Sequence, residues 1–515
     1  MKKISINLNL LFSLIALVMM SSCTDLELIA DDSIISKDSG GGFTGVEDPA
    51  GSLNNVYNQF NGIYGTQENV YALSEVSSDE YLVPTRGTDW GDNGIWRTLH
   101  LHSWTAGHKF ILDTWNSFNQ MAYNCNEIID SRSGSSAQQI AEAKFIRAYA
   151  MWQILDNFGQ VPFREVDEGP EVNPKVLSGT EALTAILDDL DAALPDLPSV
   201  GPLGATNRAS KAAAYFLKAR VLLNAGIYRG GTSPEASDMP GVIAAVDAIT
   251  SEGFQLNDGY FEMFDADAES SERIFYCNAG QGSRMWKGLH YSQGHPDNPG
   301  GGWNGFTTLA AFYDSFEGNP NSNYVGDGQE ERRGWVPDAT TANSDNNGFG
   351  YGFLIGQQYN AAGQELDARG GKKLIFTREL PGLVGNSDVT GIRVLKYSPA
   401  NGAFSAPVLL FRYADAYLMK AEAMMRSGDD VTQMVNDLRV LRKAQPLGSV
   451  TEDDMLAERG RELYDEHVRR MDLIRFNKFA TPWELKESTD ETRSLFPIPT
   501  NAILSNPNLV QNPGY

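Results

Sequence analysis

The chain has 515 residues, with 66 acidic against 41 basic side chains and a formal charge of −25 at pH 7. That length suits one large domain or two closely packed ones, and the charge weighs against nucleic acid, which rewards basic patches, and against polyanionic ligands. Fifty glycines and 23 prolines imply long irregular segments between regular elements.

Lys2 and Lys3 open the chain, and Leu10 to Met20 is apolar apart from Ser13. The run falls short of the ~20 residues a transmembrane helix needs and suits a secretory leader. Met20-Ser21-Ser22-Cys23 then resembles a bacterial lipobox. By that resemblance Cys23 becomes the mature N-terminus and carries lipid, each buried CH₂ contributing ~0.8 kcal/mol of anchoring. The plainer alternative is an ordinary cleaved leader with an incidental cysteine. On either reading residues 1–22 lie outside the fold. Lys2 and Lys3 are their only charges, so a chain starting at Cys23 carries −27. Residues 23–45 are acidic and Ser/Gly-rich, reach Gly40-Gly41-Gly42 and read as a flexible tether. No later stretch approaches transmembrane length, so a soluble, tethered body is expected.

Helical period comes next. In 141–158, Phe145, Tyr149, Trp152, Leu155 and Phe158 share one face, and Gly159 supplies a stop. Leu183, Ile186, Leu187, Leu190 and Leu194 make a second stripe, closed by Pro195. Ser210 is a candidate N-cap for a helix running to Gly226. Tyr413, Tyr417, Ala421 and Met424 form another stripe. Gly428-Asp429-Asp430 turns the chain into Val431, Met434, Val435, Leu438 and Leu441. Ala-rich helices turning on glycine resemble tetratricopeptide units. One further helix is predicted through 453–476. Between about 250 and 405 helical period fades, and short strands are predicted at Arg273–Cys277, Lys373–Arg378 and Ile392–Tyr397. This is a loop-rich excursion from a helical scaffold, where binding sites tend to sit.

Several clusters invite chemistry. His100, His102 and His108 suggest a metal, but a histidine pair in an alternating segment is more often structural. Asn343, Asp345, Asn347 and Gly348 echo a calcium loop whose twelfth position, Leu354, lacks the required carboxylate. Glu458, Glu462 and Glu466 at i, i+4, i+8 among arginines read as a salt-bridged helix face rather than an acid/base site. Cys125 and Cys277 show no metal spacing. They read as two buried thiols, although export would permit a disulfide. No cofactor motif occurs.

Three stretches carry a resemblance. Ala141–Tyr149 continues to Asn157-Phe158-Gly159-Gln160-Val161-Pro162. Glu458–Glu466 continues to Arg469–Arg475. Phe496-Pro497-Ile498-Pro499 is followed by Asn506-Pro507-Asn508-Leu509 and the terminal Gln511-Asn512-Pro513-Gly514-Tyr515. Together with the lipobox they resemble the SusD/RagB family of outer-membrane nutrient-binding lipoproteins, over essentially the whole mature chain. Gly460 stands where the family often has a bulkier residue. The resemblance implies a mainly α fold, a SusD-like α-α superhelix of tetratricopeptide-like helix pairs with a loop-rich irregular lobe carrying short strands. It divides the body into an N-terminal helical part, 46–250, and a C-terminal part with the binding lobe, 251–515. It implies a cell-surface protein without catalysis or cofactor, working with a SusC-like TonB-dependent transporter. The usual cargo is an oligosaccharide, while some relatives take peptides.

Sugars need flat apolar rings against their C–H faces and polar groups for their hydroxyls. Arg86 to Trp96 and Arg284 to Asn304 offer that mix in glycine-rich loops. Trp90, Trp96, Trp286 and Trp303 are the candidate platforms, with Arg86, Asp89 and Asn93 as hydroxyl partners. For each tryptophan the core is the competing reading. The expected ligand is a neutral glycan such as a β-glucan. A peptide-binding RagB-like protein and a surface glycoside hydrolase, which needs two carboxylates ~5–9.5 Å apart, are the rivals.

Overall fold

Asp48 starts the first helix, α1 (Pro49–Tyr64). Its side chain accepts from Gly51 N, and Pro49 sits in the first turn, where its missing N–H costs nothing. Two short helices follow, α2 (Asn69–Glu75) and α3 (Ile95–His100). The long pair α4 (Lys109–Ile129) and α5 (Ala137–Phe158) comes next. A capping box of Ser136 and Gln139 opens α5, and Gly159, left-handed at φ 71°, closes it. The predicted stripe from Phe145 to Phe158 is buried throughout.

α6 (Gly179–Ala193) and α7 (Lys211–Leu223) follow, with Ser210 capping α7 through Ala213 N. α7 ends short of the predicted Gly226, and a separate turn occupies Ala225–Tyr228. α8 (Met239–Ser251), α9 (Tyr413–Arg426) and α10 (Thr432–Leu441) complete this series, the last two joined through Gly428 at φ 95°. α4 packs on α5, α5 on α6, α7 on α8 and α8 on α9, which is the neighbour-on-neighbour stacking of tetratricopeptide-like pairs.

The computed structural model describes residues 43–168, 171–265, 269–296, 298–401 and 406–515. The leader, Cys23 and the tether as far as residue 42 lie outside the described residues. Gly45–Tyr515 shares one hydrophobic core.

The segment predicted as a single helix over 453–476 is two, α11 (Glu452–Leu463) and α12 (Arg469–Arg475). Asp465 and His467 between them are left-handed, at φ 62° and 63°. Tertiary bonds hold that break open. The Asp465 carboxylate accepts from the Tyr71 hydroxyl and from Lys287 Nζ (2.8 Å), and Glu75 accepts from His467 N (2.6 Å).

Glu458, Glu462 and Glu466 do pair with basic residues, but inside the molecule. Arg332 reaches Glu330 (2.9 Å) and Glu458 (2.6 Å). Arg412 bridges Glu272 (3.0 Å), Glu462 (2.8 Å) and Glu466 (2.7 Å), and Arg442 joins Glu272 to Glu462. Burial alone would raise the Glu458 carboxyl, but Arg332, Arg461 and Arg439 hold it down to about 2.

The irregular lobe is built on short antiparallel ladders. Arg273–Cys277 forms as predicted and pairs with Val408–Arg412. The other predicted strands shrink, Lys373–Arg378 to Ile375–Phe376 and Ile392–Tyr397 to Arg393–Leu395. Tyr81–Leu82 pairs with Thr307–Thr308, tying the loop before α3 to the lobe.

Cys125 and Cys277 are separate buried thiols, so the disulfide alternative falls. Burial pushes the Cys277 thiol up to about 12. The histidines serve the packing. Nε2 of His100, His102 and His108 meets the carbonyls of Glu484 (3.0 Å), Ser77 (2.8 Å) and Ile95 (3.1 Å), and His102 stacks on Phe479. In the calcium-like loop the side-chain oxygen of Asn343 accepts from Asp345 N and Asn346 N, so the turn is closed on its own backbone.

Candidate functional site

Three segments far apart in sequence meet at one edge of the lobe. Residues 86–89 make a tight turn, Arg86 N to Asp89 O (3.0 Å) and Asp89 N to Arg86 O (2.9 Å). The Arg86 guanidinium is buried and donates to Ser387 O (3.0 Å), Thr390 O (2.7 Å) and Thr390 Oγ1 (2.9 Å). Arg86 therefore sews its turn to the 386–390 loop. Its predicted role as a hydroxyl partner is corrected, because the side chain faces carbonyls instead of solvent. Burial also pulls its pKa down, to about 9.

The four tryptophans separate into two classes. Trp96 is only 3% exposed. Its ring lies 4.9 Å from Phe110 and 5.3 Å from Phe306, and its Nε1 donates to Asp92 Oδ2 (2.9 Å). Trp286, 5% exposed, belongs to the core of the lobe, and its carbonyl accepts from Trp303 N (2.7 Å). Neither can present a face to a sugar, so both platform assignments are corrected. Large rings lose most by facing water, and these two find apolar walls.

Trp90 is half-buried. It adopts φ 60°, donates from Nε1 to Trp303 O (2.8 Å) and lies across Gly305, where any Cβ would overlap its ring. Trp303, at 38%, is exposed at the rim of the lobe. Asn93 is exposed in the left-handed turn before α3, at φ 52°.

Asp89 joins the lobe's edge through two side-chain partners. Its Oδ2 accepts from the Tyr291 hydroxyl (2.7 Å) and from Arg369 Nη1 (2.7 Å), and the Arg369 guanidinium lies 3.8 Å over the Tyr291 ring. The Tyr291 and Arg369 hydrogen bonds hold the Asp89 carboxyl below its ordinary value. Behind it His290 Nε2 stands 3.7 Å from Asp388 Oδ2. Burial lowers the His290 pKa to about 4 despite that carboxylate, so the ring is neutral at pH 7.

Directly after Tyr291 a cavity of about 260 Å³ opens between Ser292–Gly294 and the loops carrying Asn347, Tyr359 and Asn360. Ser292 Oγ donates to Asp367 O (2.7 Å), which fixes this wall two residues from Arg369. An exposed indole, a stacked Tyr–Arg pair, an ionised carboxylate and a cavity rimmed by amides thus lie along one edge. Rings cover C–H faces, while amides, hydroxyls and a carboxylate exchange hydrogen bonds with hydroxyl groups.

Tyr291 lies within the Arg284–Asn304 stretch and Asn347 within the calcium-like loop, but neither is singled out by sequence as a glycan contact, and Arg369, Tyr359 and Asn360 are not singled out at all. Arg369 joins Asp89 across 280 positions, and no local pattern encodes that pairing. The clue on offer was the density of asparagine, glycine and aromatics from 343 to 362.

The SusD family model matches residues 271–515, and a second model, starch-binding associating with outer membrane, matches 96–207. The chain belongs to the SusD family. The starch-binding protein SusD of Bacteroides thetaiotaomicron is 28% identical over 505 residues, covering 89% of this chain and 87% of that one. Among solved structures, a SusD-like protein from Bacteroides fragilis matches at TM-score 0.69 and 20% identity, over 92% of this chain and 98% of that one. A laminarin binding SusD-like protein matches at TM-score 0.64 and 20% identity, over 92% of this chain and all of that one. These structures share the fold. The SusD-family helical scaffold thus carries the edge formed by Asp89, Tyr291, Trp303 and Arg369. Among the described residues, no helix is long and apolar enough to cross a membrane.

Proposed function

We propose that this SusD-family chain is a cell-surface lipoprotein, anchored through Cys23 to the outer membrane, that captures oligosaccharide or polysaccharide. It hands the glycan to a SusC-like TonB-dependent transporter without cleaving it. The observation that carries the reading is the edge itself, with the exposed Trp303 indole beside the Asp89–Tyr291–Arg369 cluster and the amide-rimmed cavity. The relatives named for starch and for laminarin support a glucan as the cargo. A net charge of −25 favours a neutral one such as a β-glucan.

Asp89 is poorly suited to glycoside hydrolysis. A general acid needs a raised pKa, and this carboxyl is held low by two donors. The test is calorimetric titration of residues 24–515 with laminarin, soluble starch, an anionic polysaccharide and a peptide digest. Saturable binding of a neutral glucan, weakened by Trp303→Ala, is expected. Binding by the peptide digest alone moves the protein to peptide capture, and release of reducing sugar from a bound glycan refutes the non-catalytic reading.

A further inference from the structure

The exposed face of α1 carries Asn54, Asn58 and Asn61 at i, i+4 and i+7, so their side chains fall in one row. Asparagine is a poor helix former, because its amide competes with the backbone. A merely solvated face is better served by Lys, Glu or Gln. The row opens onto a pocket of about 330 Å³, closed on its other sides by Asn207 and Asn278 and by the half-buried Tyr276. That volume lies near the lower end of small-ligand sites, roughly 300–1,000 Å³.

Among the described residues, the side-chain amides of Asn58, Asn61, Asn207 and Asn278 make no hydrogen bond within the protein. The wall beside them is rigid. Arg208 stacks 4.4 Å over the Tyr57 ring and donates from Nε to Glu142 (2.9 Å) and from Nη1 to Asn54 Oδ1 (2.8 Å). Tyr57 donates to the same Glu142 carboxylate (2.7 Å) and accepts from Ala209 N (2.9 Å). Arg208 and Glu142 cancel each other's charge, so the pocket offers neutral donors and acceptors beside aromatic rings. That arrangement matches an uncharged, hydroxyl-rich ligand and discriminates against anions and cations, which would find no free counter-charge.

We infer that this pocket is a second binding site for a neutral oligosaccharide, separate from the Asp89–Tyr291–Arg369 edge, with which it shares no lining residue. The inference rests on the proposed function only for its choice of probe. A second site on the same chain lengthens the residence of a polymeric glycan, because the second contact is made at high effective concentration.

The full chain in detergent is titrated calorimetrically with malto-, laminari-, cello- and xylo-oligosaccharides, alongside Asn58→Ala/Asn61→Ala, Asn207→Ala/Asn278→Ala and Trp303→Ala/Tyr291→Ala. Alanine is the better helix former, so the α1 variant should melt no lower than the parent, and a binding loss in it is not unfolding. The expected result is two sites in the parent and one in each asparagine variant. The Trp303/Tyr291 variant should keep a weak site that is lost when Asn58→Ala/Asn61→Ala is added. An unchanged affinity and stoichiometry in both asparagine variants overturns the second site and leaves the first standing. Loss of binding in the asparagine variants alone overturns the first and leaves the second. No binding of any oligosaccharide to the parent overturns both.

Discussion

Two clusters pair arginine with carboxylate under opposite conditions. Around Glu458, Glu462 and Glu272 the arginines Arg332, Arg412 and Arg442 are shut away from water, and each is shared between carboxylates. At the lobe's edge Arg369, 57% exposed, meets Asp89, 33% exposed, in one bond. The chemistry is the same and the consequences differ, because buried ions depend on their partners for the solvation that water gives surface ions. The inner cluster locks scaffold to lobe, whereas the outer one can exchange its protein partner for a ligand hydroxyl at small cost.

Breaking the inner cluster should have the largest effect. Arg412→Met leaves Glu272, Glu462 and Glu466 short of a shared cation, and about 3–5 kcal/mol of unfolding free energy should be lost. Denaturant unfolding, or failure to accumulate as soluble protein, reads this out, and a change under about 1 kcal/mol would contradict it. Trp96→Ala should cost a comparable ~3–5 kcal/mol through the cavity left between Phe110 and Phe306. Trp303→Ala should cost far less stability. If the two tryptophan variants melt alike, the division between core and platform rings is wrong.

Those two tryptophans show what sequence could resolve. Regular helices advertised themselves through periodic apolar faces and local stops, as at Gly159 and Ser210. Which loop rings face water depends on what arrives from elsewhere in the chain. Trp96 is covered by Phe306 and Phe110, and Trp286 lies in the core of the lobe, while Trp303 is left at the rim. The break between α11 and α12 was hidden for the same reason, since Tyr71, Glu75 and Lys287 hold it from distant segments. The spacing of Glu458, Glu462 and Glu466 indicated pairing, but nothing in it distinguished a solvated face from an internal one.

A third region sharpens the comparison through pH. Glu75 and Glu80 are buried side by side near Asp465, with Arg284 and Arg469 acting on one or the other and His467 kept neutral. Burial, and then the Asp465 charge, raise the Glu75 carboxyl from 4.5 to about 7. The folded chain therefore keeps a proton that the unfolded chain releases between those values. The stabilisation is fully present below about 4.5 and is lost as pH rises through about 7. Glu75→Gln should flatten this dependence, so the difference in melting temperature between acidic and mildly alkaline buffer shrinks relative to the parent. A variant with an unaltered pH slope would mean that Glu75 titrates normally.

The outer cluster should answer through binding instead of folding. Trp303→Ala removes an exposed ring face worth about 0.5–1.5 kcal/mol of stacking, or roughly a two- to twelvefold weaker glycan affinity. Arg369→Met gives the smallest effect and the most direct contrast with Arg412→Met. It removes one exposed ion pair, whose contribution to stability is about 0–1 kcal/mol. It also uncovers the Tyr291 ring that the guanidinium now overlies at 3.8 Å. Asp89 keeps the Tyr291 hydroxyl as a donor, so its carboxylate stays ionised and the turn at 86–89 stays closed. Unfolding should therefore be unchanged within about 1 kcal/mol, and glycan affinity should move only a few-fold. A loss of stability approaching that of Arg412→Met would mean that Arg369 is part of the frame holding the lobe to its scaffold, and that exposure is a poor guide to which ion pairs the fold needs.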